Sequence, residues 1–212
     1  MKVPQKQSSP TSMSYIPLSL LAEKINVLII GGGKAAFIKT TTFIKRGCRV
    51  TIVTKDVCDE LTSLDSDCMT LIHAAYDSSC LSGFHLVVIA TDDDILNQQI
   101  REDCEQTDTL YLTCSDYRQG HFVVPVMQET EQAVLALHTK SGSPRTTLFL
   151  AEKLRNTLRK YDRFIEFACD IRQQLKDRDD KDEIMNTVNS DEFFDMFMQG
   201  KHHRFCERHN LS

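Results

Sequence analysis

The amino-acid sequence predicts an α/β protein that begins with a Rossmann-type domain, in which helices flank a parallel sheet. Three observations predict this fold. An apolar strand leads into three consecutive glycines, strand and helix patterns alternate over residues 26–114, and the fourth strand is a continuous, β-branched apolar run. The length of 212 residues fits one such domain with a smaller appendage.

The first three elements form a βαβ unit with short connections. Residues 26–30 (NVLII) are a buried strand, and Gly31-Gly32-Gly33 follow it. The apolar spacing after the glycines predicts a helix over Lys34–Arg46. Its last turn carries cations, and Gly47 can end it in a left-handed conformation. Residues 49–53 (RVTIV) then form the second strand.

The alternation continues through three more strands and one more helix. The strands are predicted at residues 69–73, 85–90 and 109–114, and the helix is predicted at residues 95–106. Parallel strands connected in this way need helices on both faces of the sheet.

Beyond residue 119 the pattern changes. Two extended segments, 120–127 and 132–139, have no helical pattern between them. Apolar residues then recur every three or four positions over residues 144–175, which predicts one long apolar helical stripe. A charged break at residues 176–183 precedes a last helical stretch around residues 193–198. These changes predict breaks in the domain organisation near residues 120 and 144.

The composition excludes several classes of protein. A net charge of −5 argues against a nucleic-acid binder, although a local basic pocket for a polyanionic small molecule is compatible with it. The eight cysteines include no C-x-x-C pair, which favours free thiols in a reducing compartment. No apolar run approaches the ~18 residues needed to span a bilayer, and no signal peptide is recognisable. We therefore expect a cytoplasmic protein that binds neither nucleic acid nor membranes.

The glycines match a dinucleotide-binding fingerprint, Gly31-x-Gly33-x-x-Ala36, between a strand and a helix. The first glycine permits a tight turn, the second lets a pyrophosphate approach the backbone, and the small third residue lets helix and strand pack closely. The helix start adds N–H groups and a partial positive charge. We therefore predict that Gly31, Gly32 and Gly33 bind a cofactor. A tight turn in a nucleotide-free fold is the less favoured interpretation.

The second part of the fingerprint leaves the nucleotide open. A ribose-binding acidic residue is expected near the end of the second strand, about 20 residues after the glycines. The sequence has Thr54-Lys55-Asp56 there. Asp56 can bind the ribose hydroxyls, whereas Lys55 can favour a 2′-phosphate, so these residues alone do not separate NAD from NADP.

The stretch ATDDDILN follows the fourth strand. Thr91 or Asp92 can cap the next helix, with Asp93 and Asp94 in its first turn. A metal site built from the three acidic residues is the less favoured alternative, because a helix start explains them without a metal. Thr91 and Asp92 lie at the carboxyl end of a parallel strand, where open α/β sheets bind ligands. We therefore predict that both contact the cofactor.

The stretch KSGSPRTT opens the long helical region. Ser143 suits an N-cap, and Pro144 suits the first helical position. The functional interpretation adds an anion site, in which exposed N–H groups lie beside Lys140 and Arg145.

These motifs, in this order, resemble the precorrin-2 dehydrogenase / sirohydrochlorin ferrochelatase family, which includes the N-terminal part of bifunctional siroheme synthase. The resemblance extends from Tyr15 to Leu175 and rests on the stretches YIPLSL, VLIIGGGKAAFIK, ATDDDILN, TCSD, HFVVP and SGSP. It implies an intertwined homodimer in three parts. These parts are an NAD-binding Rossmann domain at residues 1–119, a dimerisation segment at 120–143 and a helical C-terminal domain at 144–212.

The activity implied by the resemblance is the NAD-dependent oxidation of precorrin-2 to sirohydrochlorin. Some members then insert Fe²⁺ to make siroheme, so Fe²⁺ or Co²⁺ is a candidate metal substrate. Family contacts with the cofactor fall on the positions of Lys34, Ala35, Lys55 and Asp56, and the resemblance favours NAD.

The resemblance also implies a key acidic residue after the fifth strand, at the position of Asp116 in LTCSD. A carboxylate there can take a proton from the substrate as general base, provided that burial raises its pKa towards neutrality. The substrate carries many carboxylates and needs cationic or N–H-rich surroundings. The candidate substrate-binding residues are Arg118, His138, Thr139, Lys140, Ser143 and Arg145.

The sequence departs from the family pattern at Thr113, where an Asn is usual, and at Thr139, where a Ser is common. Two other functions stay open. One is a regulatory dimer that binds NAD without catalysis, and the other is a tetrapyrrole chelatase that has lost dehydrogenation. The C-terminal residues His202, His203, Cys206 and His209 can form a metal site, but a frayed polar tail is the favoured interpretation.

Overall fold

The computed structural model describes residues 14–140 and 142–211. Residues 14–124 form one compact unit, and the described residues from 125 onwards form another. Each unit is described by itself.

The first unit contains a five-stranded parallel sheet with the strand order β3-β2-β1-β4-β5. The strands are β1 (Asn26–Ile30), β2 (Arg49–Thr54), β3 (Met69–His73), β4 (Leu86–Ile89) and β5 (Leu110–Thr113). All four neighbouring pairs are parallel. The chain runs outwards from β1 to β3 and then returns to the other side of β1, so the order reverses between β1 and β4. The predicted Rossmann-type fold is confirmed.

Three helices connect these strands: α1 (Lys34–Ile44), α2 (Asp59–Thr62) and α3 (Asp94–Gln106). The first helix ends two residues before its predicted end, and Gly47 has the left-handed φ of +89° expected after a helix. Between β2 and β3 the chain forms only the single turn of α2, and between β3 and β4 only a 3₁₀ turn at Ser78–Leu81. The helical layer is therefore thinner beside β3 than strict alternation predicts.

The central strands β1 and β4 are buried on both faces of the sheet, which explains their continuous apolar sequences, whereas Ile72 on the edge strand β3 is exposed. Alternate residues of each strand point to opposite sides of the sheet. Val27 and Ile29 pack on the side that carries Ala36 and Phe43 of α1. The opposite face is covered by α3, whose buried residue Ile100 packs there. Both faces of the central strands are covered, so the carboxyl edge of the sheet is where loops can build a site.

The segment after β5 is tied to that strand. The backbone N–H of His121 donates to the carbonyl oxygen of Tyr111 at 2.7 Å. A Cβ atom built at Gly120 would lie 2.9 Å from the Cα atom of Leu112, so the chain passes too close to β5 for a side chain. This contact fixes the end of the loop that contains Asp116.

The second unit begins with an antiparallel hairpin and continues as helices. The hairpin strands are β6 (Val126–Glu129) and β7 (Val134–Leu137). The helices are α4 (Pro144–Leu158), α5 (Asp162–Gln174), α6 (Lys181–Val188), α7 (Asp191–Met198) and α8 (His203–Arg208). The two predicted extended segments therefore hold a hairpin, but the strands are shorter than expected. The helical C-terminal region is confirmed.

The single long stripe predicted for residues 144–175 is wrong. A 3₁₀ turn at Arg159–Tyr161 separates α4 from α5. Two stripe residues of α4, Leu148 and Leu154, are exposed, whereas Ile171 and Leu175 near the end of α5 are fully buried. The apolar spacing is real, but its two halves do not lie in one core.

The C-terminal residues are packed, so the expectation of a frayed tail is also wrong. Cys206 and Leu211 are buried in the core of the second unit. The His202 ring lies 4.7 Å from the Phe197 ring, and an Nη1 atom of Arg178 donates to the carbonyl oxygen of His209 at 2.7 Å. Among the described residues, no three His, Cys, Asp or Glu side chains are grouped as metal ligands.

Candidate functional site

The first glycine of the loop after β1 is required by the neighbouring strand. Gly31 has a φ of +118°, which L side chains rarely adopt. A Cβ atom at this position would lie 2.4 Å from the carbonyl oxygen of Ala90, at the end of β4. The N–H of Gly31 donates to the carbonyl oxygen of Val53 at 3.0 Å. The glycine loop is therefore held between the ends of β2 and β4.

The second glycine is required by the loop after β2. A Cβ atom at Gly32 would lie 2.0 Å from the carbonyl oxygen of Asp56. The carbonyl of Gly32 accepts a 2.8 Å hydrogen bond from the N–H of Cys58. The Thr54 hydroxyl also donates to the Asp56 carbonyl, at 2.6 Å. Gly32 is thus a packing residue that joins two loops.

The third glycine faces open space. No atom lies within 4 Å of a Cβ atom built at Gly33, which is exposed. Gly33 is the N-cap of α1. It has no side chain that could accept from the first N–H groups of the helix, and the first turn holds no acidic residue. Lys34 and Ala35 in that turn are exposed, whereas Ala36 is fully buried against the sheet. An uncapped helix start beside open space fits the diphosphate of a dinucleotide.

The end of β2 carries the predicted ribose-binding residues. Lys55 and Asp56 directly follow the strand and are both exposed. The last residue of the strand is Thr54, which is buried and uses its hydroxyl to hold the loop. Asp56 is therefore the first acidic residue after β2, and the structure keeps it accessible to a ligand.

The loop after β4 contains Thr91 and Asp92, but neither caps α3. The N-cap is Asp93, whose Oδ1 atom accepts hydrogen bonds from the N–H groups of Ile95 and Leu96, both at 3.0 Å. The predicted cap was off by one residue because several adjacent polar side chains can each serve. Asp92 is consequently left exposed at the mouth of the loop.

Asp116 follows β5 and caps a 3₁₀ turn at Tyr117–Gln119. Its Oδ1 atom accepts from the backbone N–H of Arg118 at 3.1 Å and from the Nε atom of Arg118 at 3.0 Å. These bonds hold the pKa of Asp116 below its ordinary value of 3.8. The raised pKa expected for a buried general base is therefore wrong for this conformation, because a guanidinium stabilises the charged carboxylate.

The loops after β1, β2, β4 and β5 share the carboxyl edge of the sheet, since all of these strands are parallel. The glycine loop lies at the point where the strand order reverses, between β1 and β4. This is the position at which open α/β sheets bind ligands. The structure therefore brings the predicted cofactor-binding residues and Asp116 to one edge of the first unit.

Five of the predicted substrate-binding residues lie in the second unit. His138, Thr139 and Lys140 follow β7, and Ser143 and Arg145 lie at the start of α4. Ser143 is the N-cap and Pro144 the first helical residue, as predicted.

The Ser143 side chain makes no cap hydrogen bond and instead donates to the Thr146 hydroxyl at 2.8 Å. The Thr139 and Thr147 hydroxyls lie 2.8 Å apart and tie the loop after β7 to α4. Lys140 and Arg145 are exposed.

Sequence analysis assigned no structural role to two residues that hold the first-unit loops, Thr54 and Asn97. The amide of Asn97 contacts Thr91, and its side chain is only 2% exposed. A signal existed, because Asn97 falls on the buried face of α3 with Ile100 and Cys104. A polar residue in an apolar stripe needs a specific hydrogen-bond partner.

Residues 18–126, slightly more than half of the chain, match the model of a family described as "Putative NAD(P)-binding". The chain belongs to this NAD(P)-binding family. Its matched residues include the glycine loop, the Thr54–Asp56 loop, the ATDDDILN stretch and Asp116.

Curated relatives include siroheme synthases. The protein from Zymomonas mobilis is 30% identical over 168 residues, which are 78% of this chain and 36% of the relative. The protein from a Psychrobacter species is 25% identical over 191 residues, 89% of this chain and 38% of the relative. The chain thus spans little more than a third of the length of these relatives. The predicted resemblance to the precorrin-2 dehydrogenase family, which includes the N-terminal part of siroheme synthase, is confirmed.

Among solved structures, SirC, a precorrin-2 dehydrogenase, superimposes with a TM-score of 0.67. It is 20% identical, and the superposition covers 92% of this chain and 98% of that one. The two proteins share a fold.

Within residues 14–140 and 142–211, no helix has the length and apolar character needed to cross a bilayer.

Proposed function

We propose that the protein oxidises precorrin-2 to sirohydrochlorin with NAD as the acceptor, in siroheme biosynthesis. The observation that carries the proposal is the glycine loop at the strand reversal, where Gly33 opens α1 to a ligand and Asp116 lies at the same sheet edge. Membership of the NAD(P)-binding family, the siroheme synthase relatives and the fold shared with SirC support it.

The residues around the loop fit a dinucleotide. The N–H groups at the start of α1, contributed by Gly33, Lys34 and Ala35, would hold the diphosphate. Lys55 and Asp56 would contact the adenosine ribose, and Asp56 favours its free hydroxyls and therefore NAD. Thr91 and Asp92 would contact the cofactor from the end of β4. When bound, NAD supplies a hydride acceptor.

Asp116 would receive the proton that leaves the substrate. Oxidation of a saturated bond in the tetrapyrrole releases one hydride and one proton, and the proton needs a base. A carboxylate can accept it, and Asp116 would become an effective base once the guanidinium of Arg118 no longer stabilises its charged form. The exposed guanidinium of Arg118 would attract a substrate carboxylate.

The finer assignments belong to the same proposal. The substrate carboxylates would also contact His138, Thr139, Lys140, Ser143 and Arg145. Residues 120–143 would mediate a homodimer of two copies of the chain. In sequence this segment would follow a Rossmann domain at 1–119 and precede a helical domain at 144–212. The protein would act in the cytoplasm, and Fe²⁺ or Co²⁺ insertion would use the same carboxylate to remove ring protons.

The test supplies purified protein with precorrin-2 and NAD and follows NADH absorbance and sirohydrochlorin colour. We expect turnover, with a loss of about 10²–10⁴-fold in kcat for Asp116→Asn if the carboxylate is the base. Asp108→Asn is the matched control, because Asp108 is exposed and has a φ of +51°, which Asn tolerates. Retained NAD binding without turnover would instead support a regulatory dimer.

A further inference from the structure

We propose that Arg118 is a positioning residue that switches Asp116 by exchanging carboxylate partners. In the free protein the Arg118 guanidinium holds the Asp116 carboxylate, and a carboxylate of the incoming tetrapyrrole takes the guanidinium over. Asp116 is then free to accept a proton from the substrate. This inference rests on the proposed function, in which Asp116 is the base.

The first step is that both oxygens of Asp116 are occupied. Oδ1 accepts from the backbone N–H and the Nε atom of Arg118, at 3.1 and 3.0 Å. Oδ2 accepts from the Nη2 atom of Arg118 and the Nε2 atom of Gln119, both at 3.4 Å. A carboxylate held in this way is a poor base, because its lone pairs face donors and its charged form is stabilised.

The second step is that the arginine is the accessible member of the pair. The Arg118 side chain is 68% exposed, whereas the Asp116 side chain is 29% exposed. The hydrogen bond from Nη2 of Arg118 to Oδ2 is long, at 3.4 Å, so the Nη side of the guanidinium is weakly held. A guanidinium is a planar fork that suits bidentate binding of a carboxylate. A polyanionic ligand can therefore reach Arg118 before it reaches Asp116.

The third step is that the exchange costs little and leaves the loop intact. An exposed ion pair contributes little to stability, and one carboxylate replaces another on the same cation. After the guanidinium leaves, Oδ1 of Asp116 still accepts the backbone N–H of Arg118 and still caps the 3₁₀ turn. The contact of Gly120 with β5 also remains. Asp116 would thus lose its charge partner and keep its position.

The experiment measures the pKa of Asp116 by ¹³C NMR of protein labelled at aspartate carboxyls, with the signal assigned from Asp116→Asn. Wild type, Arg118→Gln and Arg118→Lys are titrated with and without sirohydrochlorin, the carboxylate-rich product. Arg101→Gln on α3 is the matched control, since it removes the same charge elsewhere in the same unit. Binding of sirohydrochlorin is followed by its absorbance.

We expect Arg118→Gln to raise the pKa of Asp116 in the free protein, and Arg101→Gln to leave it unchanged. Sirohydrochlorin should raise this pKa in wild type but no further in Arg118→Gln, and should bind roughly ten-fold more weakly to that variant. Sirohydrochlorin that binds wild type without moving the pKa overturns the exchange alone. Absence of any sirohydrochlorin binding overturns both the exchange and the proposed function.

Discussion

Asn97 and Thr91 bind each other through two hydrogen bonds at the mouth of the candidate site. The Thr91 hydroxyl donates to Oδ1 of Asn97 at 2.6 Å, and Nδ2 of Asn97 donates to the Thr91 carbonyl at 3.2 Å. Asn97 is buried on α3, so a helix that packs against the sheet also sets the loop after β4. Replacement of either residue therefore affects both stability and the position of a ligand-facing loop.

The first prediction is that Asn97→Ala lowers the free energy of unfolding by about 1–3 kcal/mol, because it removes a buried side chain and both hydrogen bonds that this side chain makes with Thr91. Denaturant unfolding measures this loss. Gln98→Ala is the control, since Gln98 is exposed and its side chain donates to the exposed Glu102 at 2.9 Å. Equal losses in the two variants would contradict the structural role assigned to Asn97.

The second prediction separates two glycines of the loop. Gly31→Ala should destabilise the fold by about 1–3 kcal/mol, because the residue has a left-handed φ and the new Cβ would meet the Ala90 carbonyl. Gly33→Ala should cost at most about 1 kcal/mol, because Ala is a poorer N-cap than Gly but the position opens onto free space. Gly33→Ala should nevertheless weaken NAD binding, because its methyl group projects where the diphosphate would lie.

Thermal unfolding and NAD titration of the two variants check this pair. A Gly33→Ala protein that binds NAD as wild type does would remove the open helix start from the candidate site. A Gly31→Ala protein as stable as wild type would show that the approach to Ala90 relaxes without cost.

The centre of the sheet could be predicted closely, because the strands within residues 26–30 and 85–90 are nearly continuous apolar runs bounded by turns. The thin helical layer beside β3 could not be predicted, because a four-residue helix leaves no periodic pattern in the sequence. The end of α4 at Leu158 could not be predicted either. The spacing of apolar residues predicts which face of a helix is apolar. It does not predict where one helix ends and the next begins in another direction.

The site divides in the same way. The glycines could be placed from motif and strand order and Asp116 from the family resemblance, and parallel strands that end at one sheet edge bring them to the same side. The low pKa of Asp116 could not, because it depends on whether the Arg118 side chain folds back or extends into solvent. The packing of the tail at His202 likewise depends on aromatic residues of α5 and α7, which no local pattern brings together.

The third prediction concerns Asp162, which joins the hairpin of the second unit to α5. Its carboxylate accepts from the Thr130 hydroxyl and from the backbone N–H groups of Gln132 and Glu131, at 3.2 and 3.4 Å. The Thr130 bond is the main cause that lowers the pKa of Asp162 below 3.8. Asp162→Ala should therefore lower the Tm, whereas Asp170→Ala, an exposed change on the same helix, should not.

The acid sensitivity follows from the sign of that shift. A carboxyl whose pKa is lowered in the folded state stabilises the fold above its unfolded pKa, and the stabilisation is lost as pH falls through the folded pKa. Differential scanning calorimetry from neutral to strongly acidic pH should show a smaller loss for Asp162→Ala than for wild type. Parallel curves would contradict this account.

The fourth prediction is that His202 makes the second unit less stable at mildly acidic pH. Burial, followed by the nearby His203, lowers the pKa of His202 below 6.5 in the folded protein. Its ring is packed against the Phe197 and Phe167 rings, at 4.7 and 5.1 Å, where an imidazolium is poorly solvated. The unfolded chain therefore binds a proton at a higher pH than the folded chain does.

The sign of the pKa shift of His202 gives the pH range in which stability changes. Because the folded pKa is lower than the unfolded one, stability is complete above about 6.5 and falls as pH decreases below that value. We expect the Tm of wild type to drop between pH ~7.5 and pH ~5.5, and His202→Phe to reduce that drop because it keeps the ring packing without a titrating group. His73→Gln, at an exposed histidine of the first unit, serves as the control. A drop of the same size in His202→Phe would mean that another group titrates.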